Sequence, residues 1–75
     1  MKKVTYRIDG NVVNPKVAQA YALKGYILKH GREADVYFFL AIWSIISQSN
    51  AARTTIKNWA CVDNILDIIV DEVAY

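Results

Sequence analysis

The sequence predicts an α+β fold that is mainly α: a short N-terminal β-hairpin followed by three helices, of which the last is long. Three observations predict it: an alternating apolar pattern before Asp9-Gly10, helix start and stop signals at Asn14-Pro15 and Gly31, and a helical apolar repeat that reaches residue 74. No linker, repeat or low-complexity segment separates these elements. We therefore expect residues 1–75 to form a single domain.

The hairpin is predicted over residues 1–13. Apolar and polar side chains alternate from Lys3 to Ile8, which is the period of a half-buried strand. Asp9-Gly10 then supplies two residues that accept the positive φ angles of a tight turn. The return arm spans only residues 11–13, so we expect the rest of the first strand to dock on helices or to pair with another copy of the chain.

The first helix is predicted over residues 15–30, because Asn14 can cap it, Pro15 suits its first position and Gly31 can end it. Turned at about 100° per residue, one face carries most of the bulky apolar side chains. That face holds Val17, Ala20, Tyr21, Leu23, Ile27 and Leu28. The opposite side holds Ala18, Ala22 and Gly25 and is smooth enough for a second close contact.

The second helix is predicted over residues 33–48. Its apolar arc covers more than half of the circumference, so we expect it to lie at the centre of the fold. The arc holds Val36, Phe38, Phe39, Ile42, Trp43, Ile45 and Ile46, while Tyr37, Ser44, Ser47 and Gln48 mark the solvent side.

The third helix is predicted over residues 52–74, with apolar positions at 4-3-4-3-4 spacing, the pattern of a narrow coiled-coil seam. The predicted dimer seam is Thr55, Trp59, Val62, Leu66, Ile69 and Val73. The predicted core is Phe38, Phe39, Ile42, Ile46, Trp59, Val62, Leu66 and Ile69. Hydrophobic residues make up 55% of this short chain, which is more than one small interior can hide, so we expect homodimerisation.

Composition argues against catalytic and metal chemistry. Cys61 is the only cysteine and His30 the only histidine, so no internal disulfide and no Cys/His metal site can form, and no spacing brings the two together as a nucleophile and its base. We expect no enzymatic activity, cofactor or metal. The longest apolar stretch is too short to cross a membrane and no secretory h-region follows the basic start, so we expect a cytoplasmic protein.

Charge is segregated along the chain. Residues 1–57 hold all nine lysines and arginines with three carboxylates, a net charge of +6, whereas residues 58–75 hold four carboxylates and no cation, a net charge of −4. These four, Asp63, Asp67, Asp71 and Glu72, are the predicted partner-binding site on the last helix. The alternatives are a solvated face, internal pairing with Lys16, Lys24 and Lys29, or a divalent-metal site built from two of these carboxylates, for which no third ligand is in evident reach. If the fold neutralises this acidic row, an aromatic patch becomes the better candidate.

The segment from Ile42 to Cys61 has a second interpretation, a helix-turn-helix that binds DNA. In that arrangement four side chains of phosphate- and base-contacting types would point outward, namely Arg53, Thr54, Lys57 and Asn58. The acidic row downstream would repel DNA.

The function that these features favour is a small non-enzymatic protein-binding module. Its size and aromatic content are typical of the products with which phages and mobile elements inhibit a host protein complex. The alternative is a compact DNA-binding regulator.

Overall fold

A computed structural model describes residues 2–60 and 65–72. The chain forms two strands, three helices and a third strand, in that order. The strands are β1 (Lys2–Ile8), β2 (Asn11–Val13) and β3 (Leu66–Glu72), and the helices are α1 (Pro15–His30), α2 (Val36–Ser44) and α3 (Asn50–Ala60), with a 3-10 turn at Gly31–Glu33 between α1 and α2.

The three strands form an antiparallel sheet of order β2-β1-β3, and this overturns the predicted layout of a hairpin followed by three helices. The predicted long helix over residues 52–74 is wrong, because α3 ends at Ala60 and β3 follows it. β3 pairs with the whole of β1, from Lys2 opposite Glu72 to Ile8 opposite Leu66. The partner that the first strand lacked is therefore supplied by the same chain.

Residues 66–72 form a strand because their composition and their neighbours both favour it. Ile68, Ile69 and Val70 are consecutive β-branched residues, whose stiff side chains pack well on a pleated sheet. In a helix Asp67 and Asp71 would repel each other one turn apart, whereas in the strand they lie opposite Arg7 and Lys3. The pairing also gives the edge of β1 its hydrogen-bond partners.

The N-terminal hairpin is confirmed. Asp9 and Gly10 have φ angles of 53° and 80°, the left-handed conformations that a two-residue hairpin turn requires. Only three residue pairs join β1 to β2, ending at Tyr6 opposite Val13, in agreement with the short return arm.

Helix α1 has the predicted bounds but the opposite orientation. Asn14 accepts a hydrogen bond from the Lys16 amide at 2.8 Å, and Gly31 ends the helix with a positive φ of 57°. The residues that it buries are Ala18, Ala22 and Tyr26. On the bulky apolar side, Val17, Ala20, Ile27 and Leu28 are exposed, whereas Tyr21 and Leu23 pack partly buried against the core. Helix α1 packs chiefly against α3, where Ala52 and Ile56 are buried.

Helix α2 is shorter than predicted and lies at the surface. Asp35 caps its start by accepting a hydrogen bond from the Phe38 amide at 3.1 Å, and the helix ends at Ser44, before a turn that leads to α3. Phe39 is its only buried residue. Of its predicted apolar arc, Phe39 and Ile46 are buried and Ile42 and Trp43 pack partly buried against the core, whereas Val36, Phe38 and Ile45 are exposed.

The core lies between the helices and the inner face of the sheet. Among the described residues, only Phe39, Ile56 and Leu66 are large side chains fully shielded from solvent. Of the predicted core, Phe39, Ile46 and Leu66 are confirmed, and Ile42 and Trp59 pack partly buried against them. Phe38 is 50% exposed and Ile69 lies on the outer face of the sheet, so those two predictions are wrong, and Val62 lies outside the described residues.

Candidate functional site

The predicted acidic row is a feature of β3 and faces basic side chains of its own chain. Asp67 and Asp71 lie on the outer face of the sheet, in register with Arg7 and Lys3. Asp67 also pairs with Lys57 of α3, whose Nζ lies 3.4 Å from its Oδ1.

Glu72 lies opposite Lys2, and Asp63 falls outside the described residues. The ion pair between Lys57 and Asp67 uses a cation other than the predicted Lys16, Lys24 and Lys29. Basic residues of β1 lie in register beside Asp67, Asp71 and Glu72, which reduces the net negative charge of this part of the sheet.

The predicted dimer seam is divided between two elements. Thr55 and Trp59 lie on α3, and the Thr55 hydroxyl donates to the Ala51 carbonyl at 2.9 Å. Leu66 is buried in the core and Ile69 lies on the opposite face of the same strand. Val62 and Val73 lie outside the described residues. A helical seam through these positions does not exist in this fold.

Two of the four proposed DNA contacts are engaged within the chain. The Arg53 guanidinium donates to the carbonyl of Ile46, just beyond the end of α2, and Lys57 pairs with Asp67. Thr54 is exposed, but its hydroxyl donates to the Asn50 carbonyl at 3.1 Å, while Asn58 is exposed. This surface therefore carries less available positive charge than the sequence indicates.

His30 belongs to an aromatic cluster at the end of α1. Its ring lies 4.4 Å from that of Tyr26 and 6.0 Å from that of Trp59, and its Nδ1 lies 3.1 Å from the Tyr26 carbonyl oxygen. Cys61, the nucleophile considered with it, is outside the described residues. Within residues 2–60 and 65–72, no three His, Cys, Asp or Glu side chains could hold a metal ion together.

Helix α1 presents one exposed surface of mixed chemistry, here called the α1 face. Six exposed residues lie within about 120° of its circumference at about 100° per residue. They are Lys16, Val17, Ala20, Lys24, Ile27 and Leu28. Leu28 is 70% exposed and Val17 51% exposed, so the face combines apolar contact area with two ammonium groups. The helix contains no carboxylate to neutralise them.

Helix α2 presents a second exposed surface, here called the α2 face, which carries no charge. It consists of Val36, Tyr37, Leu40, Ala41 and Ser44, with Phe38 and Ile45 exposed at its sides. Tyr37 is 86% exposed. The Ser44 hydroxyl donates to the Ala41 carbonyl at 2.7 Å, so its donor is already paired within the helix.

The apolar periodicity of α1 and α2 is visible in the sequence, but it does not show which of these side chains stay exposed. The signal for the orientation of α1 is its alanine side, which is smooth enough for a close contact and which is the buried side.

No known protein family, curated protein or solved structure matches this chain. None of the helices that the structure describes is long and apolar enough to span a bilayer.

Proposed function

We propose that this chain is a small non-enzymatic protein-binding module that engages a partner through the α1 face. The observation that carries the proposal is the orientation of α1, which buries alanines and leaves Val17, Ile27 and Leu28 toward solvent. Exposed apolar side chains that share one helix face of a small domain mark interaction sites.

The chemistry of the α1 face defines the partner. Lys16 lies beside Val17 at the start of the face, Lys24 lies between Val17 and Leu28, and no carboxylate of α1 lies beside them. A partner surface that combines apolar side chains with carboxylates set between them would complement this face, since opposite potentials across an interface favour association and correct register.

The charge distribution favours the α1 face over the acidic row as the protein-binding site. It also favours protein binding over DNA binding. The acidic residues of β3 face Arg7, Lys3 and Lys57, so a basic partner would compete with groups already in place. Arg53 donates to the Ile46 carbonyl and Lys57 pairs with Asp67 at the surface, so a DNA phosphate would compete with partners from the same chain for both cations.

The test is capture of partners by the tagged chain from lysate of the organism that encodes it, with and without nuclease, followed by identification of the bound proteins. We expect to capture a protein with an acidic surface, and we expect this capture to persist after nuclease treatment. Leu28→Asp and Lys24→Glu should each reduce its capture at least about tenfold, because each removes a favourable contact and introduces like charge.

The matched control is Val12→Asp on β2, since Val12 is 68% exposed and differs little from Leu28 in exposure. Its capture should equal that of the wild type. Recovery of nucleic acid alone would support the DNA alternative. A capture that Asp67→Lys with Asp71→Lys abolishes, but Leu28→Asp leaves intact, would return the site to the acidic residues.

A further inference from the structure

We propose that the α2 face is the contact surface of a symmetric homodimer, so that its occupant is a second copy of this chain. This surface is distinct from the α1 face of the proposed function, and either proposal can fail alone.

The chemistry of the α2 face suits contact with a second copy of the chain. Every residue from 36 to 52 is uncharged, so two copies can bring their α2 faces together about a two-fold axis without opposing like charges. The same operation on the α1 face would set Lys16 and Lys24 against their own copies. Self-pairing is therefore suited to α2 and unsuited to α1.

The α2 face exposes few polar side-chain groups that would need a partner when buried. A buried hydroxyl without a partner is unfavourable, but the Ser44 hydroxyl already donates to the Ala41 carbonyl. The remaining polar group on the α2 face is the Tyr37 phenol, and tyrosine commonly anchors interfaces because its ring is apolar and its hydroxyl can find a partner at the rim. The α2 face can be buried with little unpaired polarity.

The exposed area of the α2 face is in the range that a small dimer interface buries. A fully exposed aromatic side chain offers roughly 150–250 Å², so Tyr37 and Phe38, at 86% and 50% exposure, offer roughly 200–350 Å² between them. Val36, Leu40 and Ile45 are each about two-fifths exposed. Their exposed area brings the total for the α2 face to about 500 Å² per copy. That area is the lower range of a specific dimer.

The interior formed by the described residues is small. Of their nine buried core residues, three are alanines, namely Ala18, Ala22 and Ala52. The single cysteine permits no internal disulfide. Chains of this length usually need a further source of stability, and association is the source that the exposed apolar side chains offer. Permanent homodimer interfaces are also more apolar than transient ones, as the α2 face is.

The test is sedimentation equilibrium of the full chain at micromolar concentration, with Tyr37→Asp and Leu40→Glu as variants. Tyr37 lies in the first turn of α2, where an added carboxylate favours the helix, so Tyr37→Asp should stay folded, as circular dichroism would verify. We expect a dimer for the wild type and dissociation constants at least about 100-fold larger for both variants.

Leu28→Asp is the matched control, because it places the same charge on the α1 face and should leave the dimer unchanged. A wild-type monomer at 100 µM, or a dimer that both α2 variants retain, would overturn the proposal. So would equal weakening by Leu28→Asp. Partner capture through the α1 face is measured separately, so a wild-type monomer that still captures its partner would refute the dimer alone.

Discussion

At the scale of single residues, burial changes the acid–base chemistry of the Tyr6 side chain. Tyr6 is the central inward residue of β1, 8% exposed, and its ring stacks on Trp43 with centroids 5.5 Å apart. Burial raises the pKa of the Tyr6 phenol, because desolvation disfavours the charged phenolate. The neutral ring is thus part of the packing between the sheet and α2.

This raised pKa predicts a loss of stability at alkaline pH. The folded chain holds the Tyr6 proton to higher pH than the unfolded chain, so its contribution is complete below the unfolded pKa, about 10, and is lost as pH rises through the folded pKa. The free energy of unfolding of the wild type should therefore fall more steeply above about pH 10 than that of Tyr6→Phe. Urea unfolding across this range measures both, and parallel slopes would contradict the assignment.

At the scale of elements, the side that each helix or strand buries is set by its neighbours. The inward side of α1 is made of alanines that pack against α3, and the inward side of β3 carries Leu66 and Ile68. Both assignments can be tested with pairs of substitutions that differ only in the face they occupy.

For α1, Ala22→Leu should destabilise the fold and Ala20→Leu should not. Ala22 has no solvent exposure, so three added carbons must displace α3, at a cost of about 1–3 kcal/mol or more. Ala20 is exposed, and the same change there should alter the free energy of unfolding by less than about 0.5 kcal/mol. Urea unfolding of both proteins checks the orientation, and the reverse order of effects would contradict it.

For β3, Leu66→Ala and Ile69→Ala should have unequal effects. Leu66 is fully buried on the inner face and should cost about 2–5 kcal/mol, enough to lower the urea midpoint sharply or to abolish the cooperative transition. Ile69 lies half-buried on the outer face opposite Thr5, and its truncation should cost about 1 kcal/mol. Equal costs would favour the helical seam, on which both residues share one side.

At the scale of the whole molecule, folding mixes charges that are separate along the chain. The acidic C-terminal segment returns to the basic N-terminus, so that Glu72, Asp71 and Asp67 of β3 stand opposite Lys2, Lys3 and Arg7 of β1. Exposed pairs of this kind contribute little individually, but they reinforce the register of the sheet. The exposed apolar surfaces of the described residues include the basic α1 face and the uncharged α2 face.

Features that depend on neighbouring residues could be predicted from the sequence. The alternation of β1, the Asp9-Gly10 turn and the bounds of α1 follow from local conformational preferences and capping, and all three are found in the structure. The two apolar helix surfaces were also visible in the sequence as periodic patterns, although their orientation was not.

Features that depend on residues far apart in the chain are visible only in the folded protein. The 4-3-4-3-4 spacing after Thr55 fits a helix, but Leu66, Ile68 and Val70 also alternate, and the choice was made by the unpaired edge of β1. Likewise, α1 had two packable sides, and in the folded protein the side with Ala18, Ala22 and Tyr26 is buried in the core to which α3 contributes Ala52 and Ile56. In both cases long-range hydrogen bonding and packing outweighed the local pattern, and periodicity alone could not show which side would remain exposed for a partner.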